Sequence, residues 1–172
     1  MFWVAPSIRG WGIDSPRPAS QRAAALVLTA AMLTTLTAPA FAGTWYIEDG
    51  DITISAGKTE GTNKVTQGTT TDEEDTNTTI TNREEGASSH TVTIDAKDKD
   101  DKVEVTLKDV NIDASSRSEA AVSVTGKGDT TIELDGDNEL KSGAGHAGLE
   151  HNKTDTSGEL TIQDKDKNGS LE

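Results

Sequence analysis

Short runs of valine, isoleucine, leucine and threonine recur along the second half of this chain at an interval just under thirty residues. That recurrence limits the fold more than any other feature. Leu107 in "VEVTL", Leu134 in "TTIEL" and Ile162 in "ELTIQ" are 27 and 28 residues apart. A second short run follows each, ending in Ile112, Leu140 and Leu171, spaced 28 and 31. A third surrounds Val122 and Leu149, 27 apart. Within the runs apolar and polar residues alternate, which is the pattern of half-buried strands. No single turn of three short strands can bury its own few aliphatic side chains. Turns stacked about 4.8 Å apart can share one narrow core. The repeat therefore predicts an all-β chain folded as a parallel β-helix or solenoid. It places Leu107, Leu134 and Ile162 in one column, with Asn111, Asn138 and Asn168 at equivalent corners, where side-chain amides satisfy neighbouring backbone groups.

The first 42 residues have a different character. Arg9, Arg17 and Arg22 precede the apolar run "AAALVLTAAMLTTLTA" and then "PAFA", with Ala40 and Ala42 flanking Phe41. A basic start, an apolar middle and an A-x-A end describe a secretory leader cut between Ala42 and Gly43. Pro39 and four threonines make the run a poor membrane span. The leader carries three of the chain's 16 basic residues and one of its 30 acidic ones, leaving 13 against 29 and a net charge of −16. So acidic a chain is ill suited to nucleic acid or an anionic lipid surface. Cysteine is absent, so an exported protein of this kind stands without disulfides.

Three segments follow. Residues 1–42 form the leader, 43–89 supply N-terminal cap strands and a polar loop, and 90–172 make incomplete solenoid rungs. The stretch 56–89 is rich in Thr, Gly and Glu, with apolar points at Val65 and Ile80, and reads as a long loop or loosely held strands. "DGDITI" from Asp49 and "DAKDKDDK" from Asp95 read as turns. "DKDKNGSLE" at 164–172 reads in two ways. It is a polar corner between strands, or the front of a calcium loop with Asp164, Asp166 and Asn168 as oxygen ligands and Gly169 sixth. The glutamate that closes such a loop at its twelfth position falls beyond the chain, and the flanks look like strand, which favours the corner.

Several strings together carry a resemblance: "GTWYIEDGDITI", "VTLKDVNIDASS", "AAVSVTGKG", "IELDGDNELKSG", "HAGLEHNKT", an "LTI" strand and "NGSL". They resemble the N-terminal part of bacterial surface proteins described as carbohydrate-binding-domain proteins with a right-handed parallel β-helix, mostly from Gram-positive gut and cellulolytic bacteria. The resemblance covers most of residues 43–172 and rests on solenoid corners rather than on a catalytic centre. It implies a right-handed β-helix that, relative to the family, is truncated at its C-terminus, because glycine-rich rungs usually continue after "GSL". It also implies a secreted or cell-surface, non-catalytic carbohydrate-binding or adhesion module, with a polysaccharide or surface glycan as partner.

The residues themselves offer little chemistry. Among 29 acidic residues some pair always lies at a glycosidase distance, so carboxylate pairs carry no signal. Arg83 and Arg117 belong to no recognisable motif, no G-x-S-x-G elbow is present, and His90, His146 and His151 lack the spacing of a zinc site. The chain is therefore read as no enzyme and without a cofactor, calcium excepted. Trp45 and Tyr46 are the aromatic candidates for sugar stacking, although a "WYI" strand start equally suits the shielding of the first rung. Rows of Thr, Asn and Asp along a solenoid face are the other way to hold a glycan, with calcium in the acidic turns as a bridge to acidic sugars. Composition alone fits an alternative role, a structural β-helical stalk of a larger surface protein with no ligand of its own.

Overall fold

The computed structural model describes residues 42–152, 154 and 156–172. The leader reading falls on residues 1–41, outside the described residues. The remainder is a parallel β-solenoid built from fourteen short strands: β1 (Thr44–Tyr46), β2 (Ile52–Ala56), β3 (Asn63–Gln67), β4 (Thr70–Asp75), β5 (Thr78–Thr81), β6 (Val92–Ala96), β7 (Lys102–Lys108), β8 (Asn111–Asp113), β9 (Val122–Gly126), β10 (Asp129–Asp135), β11 (Asp137–Lys141), β12 (Leu149–Glu150), β13 (Leu160–Gln163) and β14 (Ser170–Leu171).

They form three sheets. The front sheet has the order β1-β5-β7-β10-β13, the back sheet β12-β9-β6-β2-β3-β4, and the side sheet β14-β11-β8. Each full coil runs front, side, back, then returns to the front one strand further on. In the earliest coil a 3-10 turn, Ile47–Asp49, takes the place of a side strand. In the next, a lone bridge from Ser88 to Ile112 does so.

Alternation explains the core. In β7, Val103, Val105 and Leu107 are buried while Lys102, Glu104 and Lys108 are exposed. Parallel pairing then stacks like on like. Trp45, Ile80, Leu107 and Leu134 share one register column of the front sheet. In the back sheet Ile52, Val92, Val122 and Leu149 form another, as do Ile54, Ile94 and Val124. Ile112 pairs with Leu140 in the side sheet. The expected columns are therefore present, with two corrections. Ile162 is in register with Ile132 and Val105 rather than with Leu134 and Leu107. Leu171 likewise pairs with Asn138 and not with Leu140.

The cause is extra chain at two corners. From Val122 to Thr130 is eight residues, whereas their partners Leu149 and Leu160 are eleven apart. From Glu133 to Asp137 is four, whereas Gln163 to Ser170 is seven. Three inserted residues at the first corner move the strand by two positions relative to the 28-residue spacing; the side-chain parity, and hence the inward face, is kept.

The polar stretch 56–89 is more ordered than its composition suggests. It contains β3, β4 and β5. β3 pairs antiparallel with the free edge of β2, β4 pairs antiparallel with β3, and Gly68 (φ 58°) opens the two-residue turn between them. Asn63, Val65 and Gln67 all point inward. The two polar ones are satisfied there. Gln67 Nε2 donates to the carbonyls of Tyr46 (2.7 Å) and Gly50 (2.9 Å), and Asn63 Nδ2 to the Glu104 carbonyl (2.6 Å) and Thr78 Oγ1 (2.8 Å).

The corner asparagines act on backbone, but not as a stack of Asn111, Asn138 and Asn168. Buried Asn138 accepts from Val110 N (3.0 Å) and donates to the Ser170 carbonyl (3.1 Å), so it joins three coils. Asn82 does the equivalent one coil earlier, accepting from Asn111 N (2.8 Å) and donating to its carbonyl (3.2 Å). Asn111 therefore supplies the backbone, and Asn168 instead donates to Asp135 Oδ1 (3.0 Å).

Leu107 is fully buried and Ile162 is 45% exposed. Leu107→Ala is expected to cost about 2–5 kcal/mol in urea unfolding, and Ile162→Ala about 1 kcal/mol or less. Equal losses at the two sites would contradict the column assignment.

Candidate functional site

Outward residues of the front sheet fall into rows as regular as the core columns. One row runs Thr44, Thr79, Thr106, Glu133, Gln163, and the next runs Glu104, Thr131, Thr161. Over these strands lies a groove of about 360 Å³. Thr106, Thr131 and Glu133 lie on its floor, Glu60 and Asn77 border it from the hairpin side, and Lys165 comes from the corner after β13. That corner is held to the floor: Lys165 N donates to Glu133 Oε1 (2.6 Å), and its Nζ lies 3.5 Å from Oε2. The groove so formed presents hydroxyls, which donate and accept, beside carboxylates, which accept. Such a surface can hydrogen-bond a hydroxyl-rich ligand laid across the coils.

The back sheet carries a longer row, Thr71, Thr66, Thr53, Thr93, Ser123 and Glu150, one residue per strand. Toward its Glu150 end a shallower depression of about 210 Å³ lies beside Thr93, Ser123, His146 and Glu150.

The aromatic candidates are placed differently from one another. Trp45 is buried at the head of the front column, and its Nε1 donates to Asp75 Oδ2 (2.9 Å). It covers the first coil and offers no open face. Tyr46 is half-buried, with the Arg83 guanidinium 4.1 Å from its ring centroid. Neither lines the front groove.

The stretch Asp164–Gly169 forms a corner. Asn168 N donates to Asp164 Oδ1 (3.1 Å), and Lys167 adopts φ 58°. Among the described residues no group of three or more His, Asp or Glu is placed to hold a metal ion.

The histidines sit at corners. His90 Nδ1 lies 3.3 Å from Asp51 Oδ1, His146 Nδ1 is 2.9 Å from Glu150 Oε2, and His151 contacts the carbonyls of Val124 and Gly158. Beside His90 is a cluster that no sequence motif announces. Arg117 donates in bidentate fashion to Asp51 (2.9 and 3.0 Å), 66 residues away, and to Glu119 (3.0 Å). It clamps coils that are not adjacent in sequence. Burial raises the pKa of Asp51, but the Arg117 bonds, the Thr91 N–H and the guanidinium charge outweigh it and hold the carboxyl below its ordinary value.

Further ion pairs link coils at exposed positions. Lys108 Nζ lies 2.6 Å from Asp135 and Lys141 Nζ 2.8 Å from Asp113. No protein-family model matches the chain, and comparison with curated proteins and with solved structures finds no match either.

The Lys141 ammonium, with the Ser115 hydroxyl and N–H, holds Asp113 down to about 2 from 3.8. A depressed carboxylate adds stability above its unfolded value and loses it as pH falls through the folded one. An NMR titration should therefore place the Asp113 midpoint near 2, and Lys141→Met should move it upward. A midpoint unchanged in that variant would show that the pair is not formed in solution.

Proposed function

We propose that the exported part of the chain is a non-catalytic carbohydrate-binding or adhesion module, secreted or held at a bacterial cell surface, with the front groove as its glycan site. The observation that carries this reading is the alignment of hydroxyl and carboxylate rows across successive front strands beneath a bordered groove. The rows repeat at the strand spacing of about 4.8 Å, so a polymer crossing the coils meets similar hydrogen-bonding groups again and again. The resemblance of the corner strings to carbohydrate-binding surface proteins agrees with this, and so does an acidic shell unsuited to nucleic acid.

The groove also suggests which glycans fit. Glu60, Glu104, Glu133 and Asp166 face it against Lys102 and Lys165, so carboxylates outnumber ammonium groups four to two. A neutral or amino-sugar polymer suits that balance, and a polyuronate is repelled. Without an exposed aromatic platform among the groove residues, affinity for one sugar unit is weak and retention depends on several units bound in line.

A glycan array and retention on insoluble neutral polysaccharides test the proposal with the exported protein. Retention is expected, with weak or no signal on uronates. Thr131→Trp, which fills the floor, should lower it at least about tenfold, equal to 1.4 kcal/mol. Thr93→Trp, on the back sheet, should leave it intact. No retention on any glycan would leave the stalk role as the better account. Equal loss in both variants would move the site away from the front groove.

A further inference from the structure

One carboxylate stands apart from the acidic surface. Asp75, the last residue of β4, is fully buried. Its Oδ1 accepts from Gly43 N (2.8 Å) and Asn77 N (3.1 Å), and its Oδ2 from Trp45 Nε1 (2.9 Å) and Thr78 Oγ1 (3.0 Å). All four are neutral donors in the intact chain. Among the described residues no lysine, arginine or histidine pairs with it. A buried carboxylate with hydrogen bonds but no counter-charge is a costly arrangement, which a nearby cation would relieve.

The sequence supplies one at this place. The leader ends "AFA" at Ala42, which is exposed, and the next residue is Gly43. We propose that removal of the leader at the Ala42–Gly43 bond completes the folded state: the new α-ammonium of Gly43 pairs with buried Asp75 and locks β1 and Trp45 over the first coil. The step is hydrolysis by a leader peptidase. Water adds its oxygen to the Ala42 carbonyl carbon, the C–N bond breaks, Ala42 leaves as a carboxylate, and the Gly43 nitrogen takes up protons to become the ammonium. The nitrogen already lies 2.8 Å from Oδ1, so cleavage replaces a neutral amide donor by an ammonium at the same place and turns a hydrogen bond to the carboxylate into an ion pair.

The crowding around Gly43 is consistent with this. A Cβ at position 43 would run into both the Asp75 carboxylate and the Trp45 indole nitrogen. Glycine therefore fits where the chain approaches Asp75 without displacing either side chain, and glycine is what cleavage after the A-x-A signal leaves at the terminus. Gly43 is further fixed from its other side, its carbonyl accepting from Thr79 N (2.9 Å). The inference rests on the leader reading and is independent of the glycan site.

The test uses the full chain exported from a bacterial host. Mass spectrometry should find the terminus at Gly43. A second version carries one glycine inserted between Ala42 and Gly43, so that processing displaces the ammonium by one residue, about 3.8 Å, and leaves an amide N–H on Asp75. The native terminus should melt roughly 5 °C or more above the extended one. Asp75→Asn should lower both and close the gap between them. A terminus elsewhere, or equal melting of the two Asp75 forms, would overturn the proposal. Should Asp75→Asn fail to fold, the comparison of the two termini still decides it.

Discussion

Every part of this molecule depends on strands stacking in register so that inward residues of one coil lie on inward residues of the next. A coil here contributes only a few valine, isoleucine and leucine side chains and cannot exclude water alone. Stacked, they make a slim interior filled by valine, isoleucine and leucine, with Trp45, among the described residues, as its one large aromatic. β-branched residues suit it because their stiff side chains pack well on a pleated surface at little entropic cost. The same register aligns outward residues, and with so many carboxylates it would set like charges over one another. Lys108 over Asp135, Lys141 over Asp113 and Arg117 across to Asp51 answer this: scarce cations are placed between coils. Each exposed pair contributes little alone. Their placement matters because every cross-coil attraction replaces a repulsion at the same point.

A solenoid of this kind has ends, and its first end is closed by a change of direction. The free edge of β2 is taken by β3 running antiparallel, which makes β4 the new edge. That strand reads "TTDEED", and rows of carboxylate on an edge discourage pairing with another chain. Trp45 closes the front column beside it, its indole held by Asp75 from the end of that same strand. Sheet edge and core end are thus covered by one hairpin, and Asp75 is the point where they meet. In the last described coil, Leu149, Leu160 and Leu171 are half-buried, more exposed than the column partners beneath them.

The fold was legible because alternation and recurrence coincide. Leu107, Leu134, Ile112, Leu140, Val122 and Leu149 each lie where a spacing of 27 or 28 puts them. What stayed hidden has physical reasons. β3 buries Asn63 and Gln67, whose amides bind backbone carbonyls of other segments. A strand with polar residues on its inner face shows no apolar period. Asn82 carries no sequence signal because its partner is the backbone of Asn111, and any residue has a backbone. Arg117 and Asp51, 66 residues apart, meet only through the stacking of coils. The front groove could have been anticipated in part: Thr106 and Glu133 each precede a column leucine by one residue, so register alone stacks them on the outer face.

The interest of the chain lies where it departs from its own repeat. Three residues inserted between Gln163 and Ser170 make the corner that resembles a calcium loop in sequence. A corner of the length used one coil earlier, where Glu133 is followed so soon by Asp137, has no room for a projecting Lys165 or Asp166. With the longer corner, Lys165 reaches back to Glu133 and the flat row of threonines gains a border. On the other side, the chain between β2 and β5 that caps the first coil also brings Glu60 and Asn77 to the groove. Regular coils give a flat, repetitive face, and a flat face selects nothing. Insertions give it a border and keep inward parity, although they change which residues stack, as Ile162 and Leu171 show. Core and outer surface can therefore vary separately in such a fold, the first through the columns and the second through corner length.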